Sequence, residues 1–227
     1  MTHADVTILF DLDGTLIETA PDLVGTLSDV VTARGHPPLD AADVRPFIGY
    51  GARAMISRAL GVHGDVPDAD ELDALFRDYL ETYERRIADL SHPFPGMVEA
   101  LDALEAEGAR FAVCTNKRSN LAKKLLDALG LSARFLAIAG PDTYGAAKPD
   151  RLFVDSLMRD VAARPGRTVF VGDSRIDVEA ARNAGLPVVG VTFGYTEIPM
   201  TELSPDVLVD HFDELPAAIR QVLRAAA

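Results

Sequence analysis

The run Ile8-Leu9-Phe10-Asp11-Leu12-Asp13-Gly14-Thr15-Leu16 constrains the fold more than any other part of the chain, because an apolar segment suited to a buried strand stops at two acids. A short, unbroken apolar run marks a parallel strand covered on both faces. In open α/β sheets, ligands bind just beyond the carboxyl ends of such strands. Asp11 and Asp13 fall at that place, and alternate residues of an extended segment face one side, so both carboxylates can address one ligand. Gly14 permits the sharp turn that follows. The plain alternative is a strand followed by an ordinary Asp-Gly turn.

The chain has 227 residues, enough for one large or two modest domains, and its 48% hydrophobic and 25% charged content is that of a folded globular protein. No apolar run reaches the roughly 18 to 20 residues that span a bilayer, and Met1-Thr2-His3-Ala4-Asp5 lacks the basic and apolar regions of a signal peptide, so a cytoplasmic location is expected. A formal charge of -13 argues against nucleic-acid and membrane partners, which need clustered Lys and Arg. An anionic small molecule would then need a local positive site built from a metal, helix N-termini and a few cations. The lone Cys114, after Phe111, Ala112 and Val113, reads as a core residue. His3, His36, His63, His92 and His211 show no metal-ligand spacing.

Five further apolar segments have the character of buried strands: Phe111 to Cys114, Phe135 to Ala139, Val169 to Val171, Val188 to Val191 and Val207 to Val209. Helical patterns with glycine stops lie between most of them: Met97, Leu101 and Leu104 before Gly108, Leu121 to Leu129 before Gly130, Ile176 to Ala184 before Gly185. The alternation predicts an α/β protein with a doubly wound parallel sheet, a Rossmann-like core. Residues 17–92 show helical periodicity without a convincing strand and are expected to form an inserted helical domain, leaving 1–16 and 93–227 as the core. Pro21 opens a helix bearing Leu23, Leu27, Val30 and Val31, and Leu72, Leu75, Phe76, Tyr79, Leu80 and Tyr83 form a second stripe, read as core. His92-Pro93-Phe94-Pro95-Gly96 is the return linker. An insertion leaving after Asp13 would hang over the carboxylates as a lid that opens and closes.

Three more signals fall at expected strand or loop ends: Thr115-Asn116-Lys117, Lys148-Pro149, and Gly172-Asp173-Ser174-Arg175-Ile176-Asp177. With D-x-D-G-T at Asp11, these make the chain resemble the haloacid dehalogenase-like hydrolase superfamily, whose members carry those four motifs in that order. The resemblance covers essentially the whole chain, and residues 17–92 match the family's small helical cap. Phe94-Pro95-Gly96, Val113 to Lys117 and Gly172-Asp173-Ser174 look most like the phosphoglycolate phosphatase group.

The resemblance implies a Mg²⁺-dependent phosphatase acting on a small phosphorylated metabolite, 2-phosphoglycolate first among the candidates. Asp11 matches the nucleophile that forms an aspartyl-phosphate, and Asp13 the general acid and base. Asp11, the backbone carbonyl of Asp13, and Asp173 match the metal ligands, with Asp177 and Ser174 behind them. Thr115, Asn116 and Lys148 match the groups that hold the phosphoryl, Lys148 also steadying Asp11. Each residue alone has a plainer reading: Thr115 as a helix cap, Lys148 as a surface lysine, Asp173 and Ser174 as a turn. Lys117, Arg118 and Arg175 read as solvated or peripheral charges.

Asp13 disfavours dehalogenation, which needs no proton donor for a leaving alkoxide. The first lysine of the chain is Lys117, so the cap offers no Schiff-base lysine for phosphonoacetaldehyde hydrolysis. Phosphatases of other small sugar or nucleotide phosphates, a β-phosphoglucomutase-like phosphotransferase, and an idle regulatory member stay open as alternatives. Ile48-Gly49-Tyr50-Gly51-Ala52-Arg53 lies where the cap's specificity loop is expected, with Arg53 placed to grip a substrate carboxylate or else to start a solvent-facing helix. Tyr50 departs from the small polar residue usual there. Both monomer and homodimer are compatible with the sequence.

Overall fold

The computed structural model describes residues 5–225, so His3 and the first residues of the N-terminus lie outside them. Eight strands form, β1 (Thr7–Phe10), β2 (Ile17–Glu18), β3 (His92–Pro93), β4 (Arg110–Cys114), β5 (Phe135–Ala139), β6 (Thr168–Gly172), β7 (Val188–Val191) and β8 (Val207–Val209). Six of them make one parallel sheet in the order β5-β4-β1-β6-β7-β8. The chain builds outward from β1 through β4 to β5, then crosses back to place β6 on the other side of β1. Loops from adjacent strands diverge at that reversal and leave a crevice at the carboxyl edge, which is where doubly wound sheets take their ligands. All six expected strands are present, and β1 is central.

The sheet's two faces bury two separate sets of side chains because consecutive strand residues point to opposite sides. Ile8, Phe10, Phe111, Val113, Val169 and Val171 belong to one apolar cluster, whereas Leu9, Ala112, Cys114, Phe170 and Val188 belong to the other. Helices cover both. Those after β3 are α5 (Met97–Ala106), α6 (Ser119–Ala128), α7 (Pro141–Tyr144), α8 (Arg151–Asp160), α9 (Arg175–Ala184) and α10 (Leu215–Ala225); those between β2 and β3 are α1 (Ala20–Ala33), α2 (Ala41–Val44), α3 (Ala52–Gly61) and α4 (Ala69–Arg85).

Where the sequence shows no convincing strand, the chain makes a two-residue antiparallel ribbon: Ile17 pairs with Pro93 and Glu18 with His92. Two residues are too few to display an alternating pattern, so the ribbon has no sequence signature. It fastens the exit and return of the α1–α4 segment side by side. Asp68 starts α4 with a capping box, its Oδ1 accepting from the Glu71 amide at 2.9 Å while Glu71 Oε2 accepts from the Asp68 amide at 3.2 Å. The first sheet-face cluster continues without a break into α1, α3 and α4 through Leu23, Leu27, Met55, Ile56, Tyr79 and Tyr83. Among the described residues no helix is long and apolar enough to cross a membrane.

Cys114 ends β4 fully buried, and that burial pushes its thiol up to about 12. Because the thiolate is the reactive form, Cys114 should resist a thiol reagent at pH 8 in the folded protein and react at the rate of a free cysteine in denaturant. Equal rates in the two states would show that β4 opens freely.

Candidate active site

The acids that interrupt the first apolar run are carried to the crevice by the pairing of β1. The Asp11 amide still donates to the Val171 carbonyl at 3.0 Å, so Asp11 is held in register with β6, and it is only 3% exposed. Gly14 then turns the chain with φ +86°; a Cβ there would lie 2.6 Å from Asp173 Oδ2, so both the conformation and the space require glycine. The loops after β4 and β6, together with Lys148 ahead of α8, bring Thr115, Lys148, Asp173, Ser174 and Asp177 to the same edge, all buried. The structure thus assembles from distant positions nearly every residue singled out in the sequence.

Lys148 is the hub of the arrangement. Its Nζ lies 2.7 Å from Asp11 Oδ1 and 2.7 Å from Asp177 Oδ1. Burial works against its ammonium, yet Asp11 and Asp177 together hold its pKa above the ordinary lysine range. Asp177 is further saturated: its Oδ2 accepts from the Ser174 hydroxyl at 2.6 Å and from the amides of Ser174 and Asp173 at 3.0 and 3.2 Å. Those bonds orient the start of α9 and leave Asp177 as a fixed anion behind the site. Gly172 allows that approach, since a Cβ would come within 2.3 Å of Asp177 Cβ.

Asp173 is aimed by two donors, the Thr15 hydroxyl to Oδ1 at 2.8 Å and the Tyr195 amide to Oδ2 at 2.6 Å. Burial, followed by the charges of Asp177 and Asp11, raises its pKa well above the usual carboxylate value. Burial also pushes Asp11 up to about 7, against the pull of Lys148 and with help from Asp177 and Asp13. Each of Asp11, Asp173 and Asp177 offers an oxygen, and these atoms lie within 4.8 Å of one another. Four buried carboxylates, those of Asp11, Asp13, Asp173 and Asp177, face two sequestered ammonium groups, those of Lys117 and Lys148. The excess of two negative charges, presented by hard oxygen donors, fits a divalent cation of the Mg²⁺ or Ca²⁺ type.

Thr115 caps no helix. Its Oγ1 accepts from the Lys117 amide at 3.1 Å, which leaves the hydroxyl proton available to donate. Asn116 clamps the neighbouring loops: its Oδ1 accepts from the Lys148 amide at 2.9 Å, and its Nδ2 donates at 3.2 Å to the carbonyls of Lys148 and Gly49. Lys117, read in the sequence as a solvated or peripheral charge, is instead sealed in the site. Its Nζ donates to both oxygens of Asp13, at 2.8 and 2.9 Å, with its side chain only 5% exposed. The partners are 104 positions apart, so no local spacing announces the pair.

Over this edge lies a cavity of about 260 Å³ between the α1–α4 segment and the sheet loops, with Asp13 and Lys117 on one side and Ile48, Phe76, Tyr79 and Tyr83 on the other. Arg53 also lines it, but its guanidinium pairs with Asp73 and lies over the Phe76 ring, half-exposed. Tyr50 donates to Glu197 at 2.5 Å, and Arg175 bonds both, so Arg175 joins the loop of residues 48–53 to the sheet side and is not a lone solvated charge. Breaking a buried ion pair by removing one partner costs about 3 to 5 kcal/mol. Lys148→Met should lose that much stability in denaturant unfolding with a chelator present, because Asp11 and Asp177 are left facing each other. A loss below about 1 kcal/mol would contradict this reading of the hub.

A family model described as haloacid dehalogenase-like hydrolase matches residues 8–191. A phosphoglycolate phosphatase of Caulobacter vibrioides is 47% identical over 212 residues, covering 93% of this chain and 90% of the relative. An N-acetylmuramic acid 6-phosphate phosphatase of Pseudomonas aeruginosa is 36% identical over 210 residues, 92% of each chain. The crystal structure of a predicted phosphoglycolate phosphatase from Haemophilus somnus superposes with a TM-score of 0.88 at 31% identity, covering 96% of this chain and 99% of that one. With the match to the family model spanning most of the chain and the acid-bearing strand ends inside it, this protein belongs to the haloacid dehalogenase-like hydrolase family.

Proposed function

We propose that this protein is a cytoplasmic phosphatase of small phosphate monoesters, with 2-phosphoglycolate as substrate and Mg²⁺ as cofactor, working through an aspartyl-phosphate on Asp11. The observation that carries the reading is the ion pair of Lys148 with Asp11 at the carboxyl edge of β1, beside three further buried carboxylates. The substrate rests on the name of relatives 40 to 47% identical to this chain. In this reading residues 17–92 are the cap, and 1–16 with 93–227 the hydrolase core.

Phosphate monoester hydrolysis is among the slowest uncatalysed reactions, and a covalent intermediate divides it into two easier displacements. Lys148 engages Asp11 Oδ1 and fixes the carboxylate, and no hydrogen bond from the described residues engages Oδ2, which is the nucleophile. As Oδ2 bonds to phosphorus, the ester P–O bond breaks and the leaving alkoxide takes a proton from Asp13, which enters this step as the carboxylic acid and leaves it as the carboxylate that Lys117 holds. A water then attacks phosphorus, gives its proton to Asp13, and the bond to Asp11 breaks to release phosphate. Asp13 acts as acid and then as base, which requires that it stand near the leaving oxygen but not on phosphorus. The Thr115 hydroxyl and the Lys148 ammonium meet charge on the transferring group from fixed positions. Asp11, the Asp13 carbonyl and Asp173 would hold Mg²⁺, with Asp177 behind them; when bound, it supplies positive charge that offsets the repulsion between carboxylate and phosphate.

Burying the site serves the same chemistry, because the charges that stabilise the transition state act more strongly where water is excluded, and Asp11 is only 3% exposed.

The test is phosphate release from 2-phosphoglycolate, β-glucose 1-phosphate and nucleoside monophosphates. Turnover of 2-phosphoglycolate should exceed the others, vanish with a chelator, return with Mg²⁺, and fall by about 10⁴-fold or more in Asp11→Asn, as losing a nucleophile does. Full activity in Asp11→Asn would overturn the mechanism, and inactivity on 2-phosphoglycolate alone would overturn the substrate.

A further inference from the structure

The cavity above Asp13 is lined mostly by apolar side chains, which makes its polar groups conspicuous. Lys117 spends two of its three N–H donors on Asp13, and its ammonium sits 4.7 Å from the centroid of the Tyr83 ring. The third N–H has no acceptor among the described residues. Tyr83 is 1% exposed, and its hydroxyl has no hydrogen-bond partner among the described residues. Burial, with the charges of Asp13 and Asp22 added, raises the phenol well above its ordinary pKa, so the hydroxyl stays a donor. Leaving such a donor buried and unpaired costs about 1 to 3 kcal/mol, which a ligand supplying an acceptor recovers.

Tyr79, the other buried phenol on this wall, is different: its hydroxyl donates to the Leu23 carbonyl at 3.4 Å. Arg53 is engaged by Asp73 and Phe76. Arg53 and Arg118 also line the chamber but are exposed to solvent. Among its buried side chains the unspent donors are therefore the ammonium of Lys117 and the hydroxyl of Tyr83. Two donors, one of them charged, in an apolar chamber match an anionic acceptor on the leaving group, beyond the phosphoryl that Lys148 and Thr115 hold.

We infer that Lys117 and Tyr83 form the site that binds a carboxylate on the substrate's leaving group, and that this pair, and not Arg53, sets the preference for phosphorylated hydroxy acids over uncharged alcohol phosphates. The inference rests on the reading of the protein as a phosphatase of small monoesters. It also gives Lys117 a double contact: the ammonium that holds Asp13 is the one that meets the carboxylate, so the proton donor and the leaving group are brought together by one side chain. No bond is made or broken in this step.

The experiment compares 2-phosphoglycolate with ethyl phosphate, which has the same chain length and no carboxylate. Binding is measured by calorimetry with Mg²⁺ on the full-length Asp11→Asn protein, and KM on the active enzyme, each with and without Lys117→Met and Tyr83→Phe. A charge-assisted hydrogen bond predicts that Lys117→Met weakens 2-phosphoglycolate by about tenfold to a hundredfold, and a neutral donor that Tyr83→Phe weakens it by about threefold to tenfold. Ethyl phosphate should change by less than about threefold in KM and in affinity, while kcat falls for both substrates in Lys117→Met because Asp13 loses its partner. Tyr83→Phe removes one oxygen and keeps the ring, so it reports even if Lys117→Met fails to fold. Equal weakening of both ligands, or equal binding of both to the pocket with Lys117 and Tyr83 intact, overturns the inference. If 2-phosphoglycolate binds through Lys117 yet releases no phosphate from the active enzyme, the proposed substrate fails and the carboxylate site stands.

Discussion

Everything at the carboxyl edge of the sheet depends on one lysine placed between two acids where water cannot reach. Lys148 Nζ touches Asp11 and Asp177 at equal distances of 2.7 Å, and both carboxylates are almost completely buried. In water such pairs contribute little, but here each carboxylate would be prohibitively costly alone. The lysine makes the buried Asp11 carboxylate tolerable and also fixes it, since an ammonium pinned from two sides cannot wander. The rest of the construction serves this contact. Asn116 holds the Lys148 backbone from the next loop, Ser174 and two amides hold Asp177 from behind, and β6 holds Asp11 by its amide.

The charge balance of the site is incomplete without a ligand, and the raised pKa values express it. Burial pushes Asp11 up to about 7 and Asp173 above the ordinary range, and the neighbouring carboxylates add to both shifts. A chain whose overall formal charge is -13 has no surplus of cations to bring in from elsewhere. A divalent ion and an anionic substrate together complete what the side chains leave open: the ion lowers the cost of the carboxylates, and the site then holds a phosphate that the acids alone would repel.

Much of this was legible in the sequence, for a physical reason. A buried parallel strand must be apolar along its whole length, so acids at its end stand out without any tertiary information, and the same holds for Thr115 after β4 and Asp173 after β6. The strands stand out along the chain as unbroken apolar runs, and the helical character of residues 17–92 follows from a periodicity of 3.6. Pairings across the chain are a different matter. Lys117 follows Thr115 and Asn116 in what looks like a polar turn, and nothing nearby shows that it will be folded inward onto Asp13. Tyr79 and Tyr83 sit in an apolar stripe one turn apart and read as core, which they are, both 1% exposed. That the hydroxyl of one is paired and that of the other is not depends on where Leu23 of α1 happens to pass.

The junction between the helical segment and the sheet is built around one side chain from the far side of the sheet. The chain enters and leaves the segment through two paired strands of two residues each, and at that crossing Tyr195 reaches over from the loop after β7. Its hydroxyl accepts from the amides of Thr19 and Ala20 at 2.8 and 3.0 Å, capping α1, while Glu18 accepts its proton and pairs with Arg45 at 2.7 Å. The Tyr195 amide, meanwhile, is the donor that aims Asp173. One residue therefore ties the root of the helical segment to a carboxylate of the site through a rigid aromatic side chain. Side chains farther out, Tyr50 with Glu197 and Arg175, join the same two parts through exposed, solvent-screened contacts that are weak individually. The ties between the helical segment and the sheet are thus buried at the root, where they also aim a carboxylate of the site, and exposed at the rim.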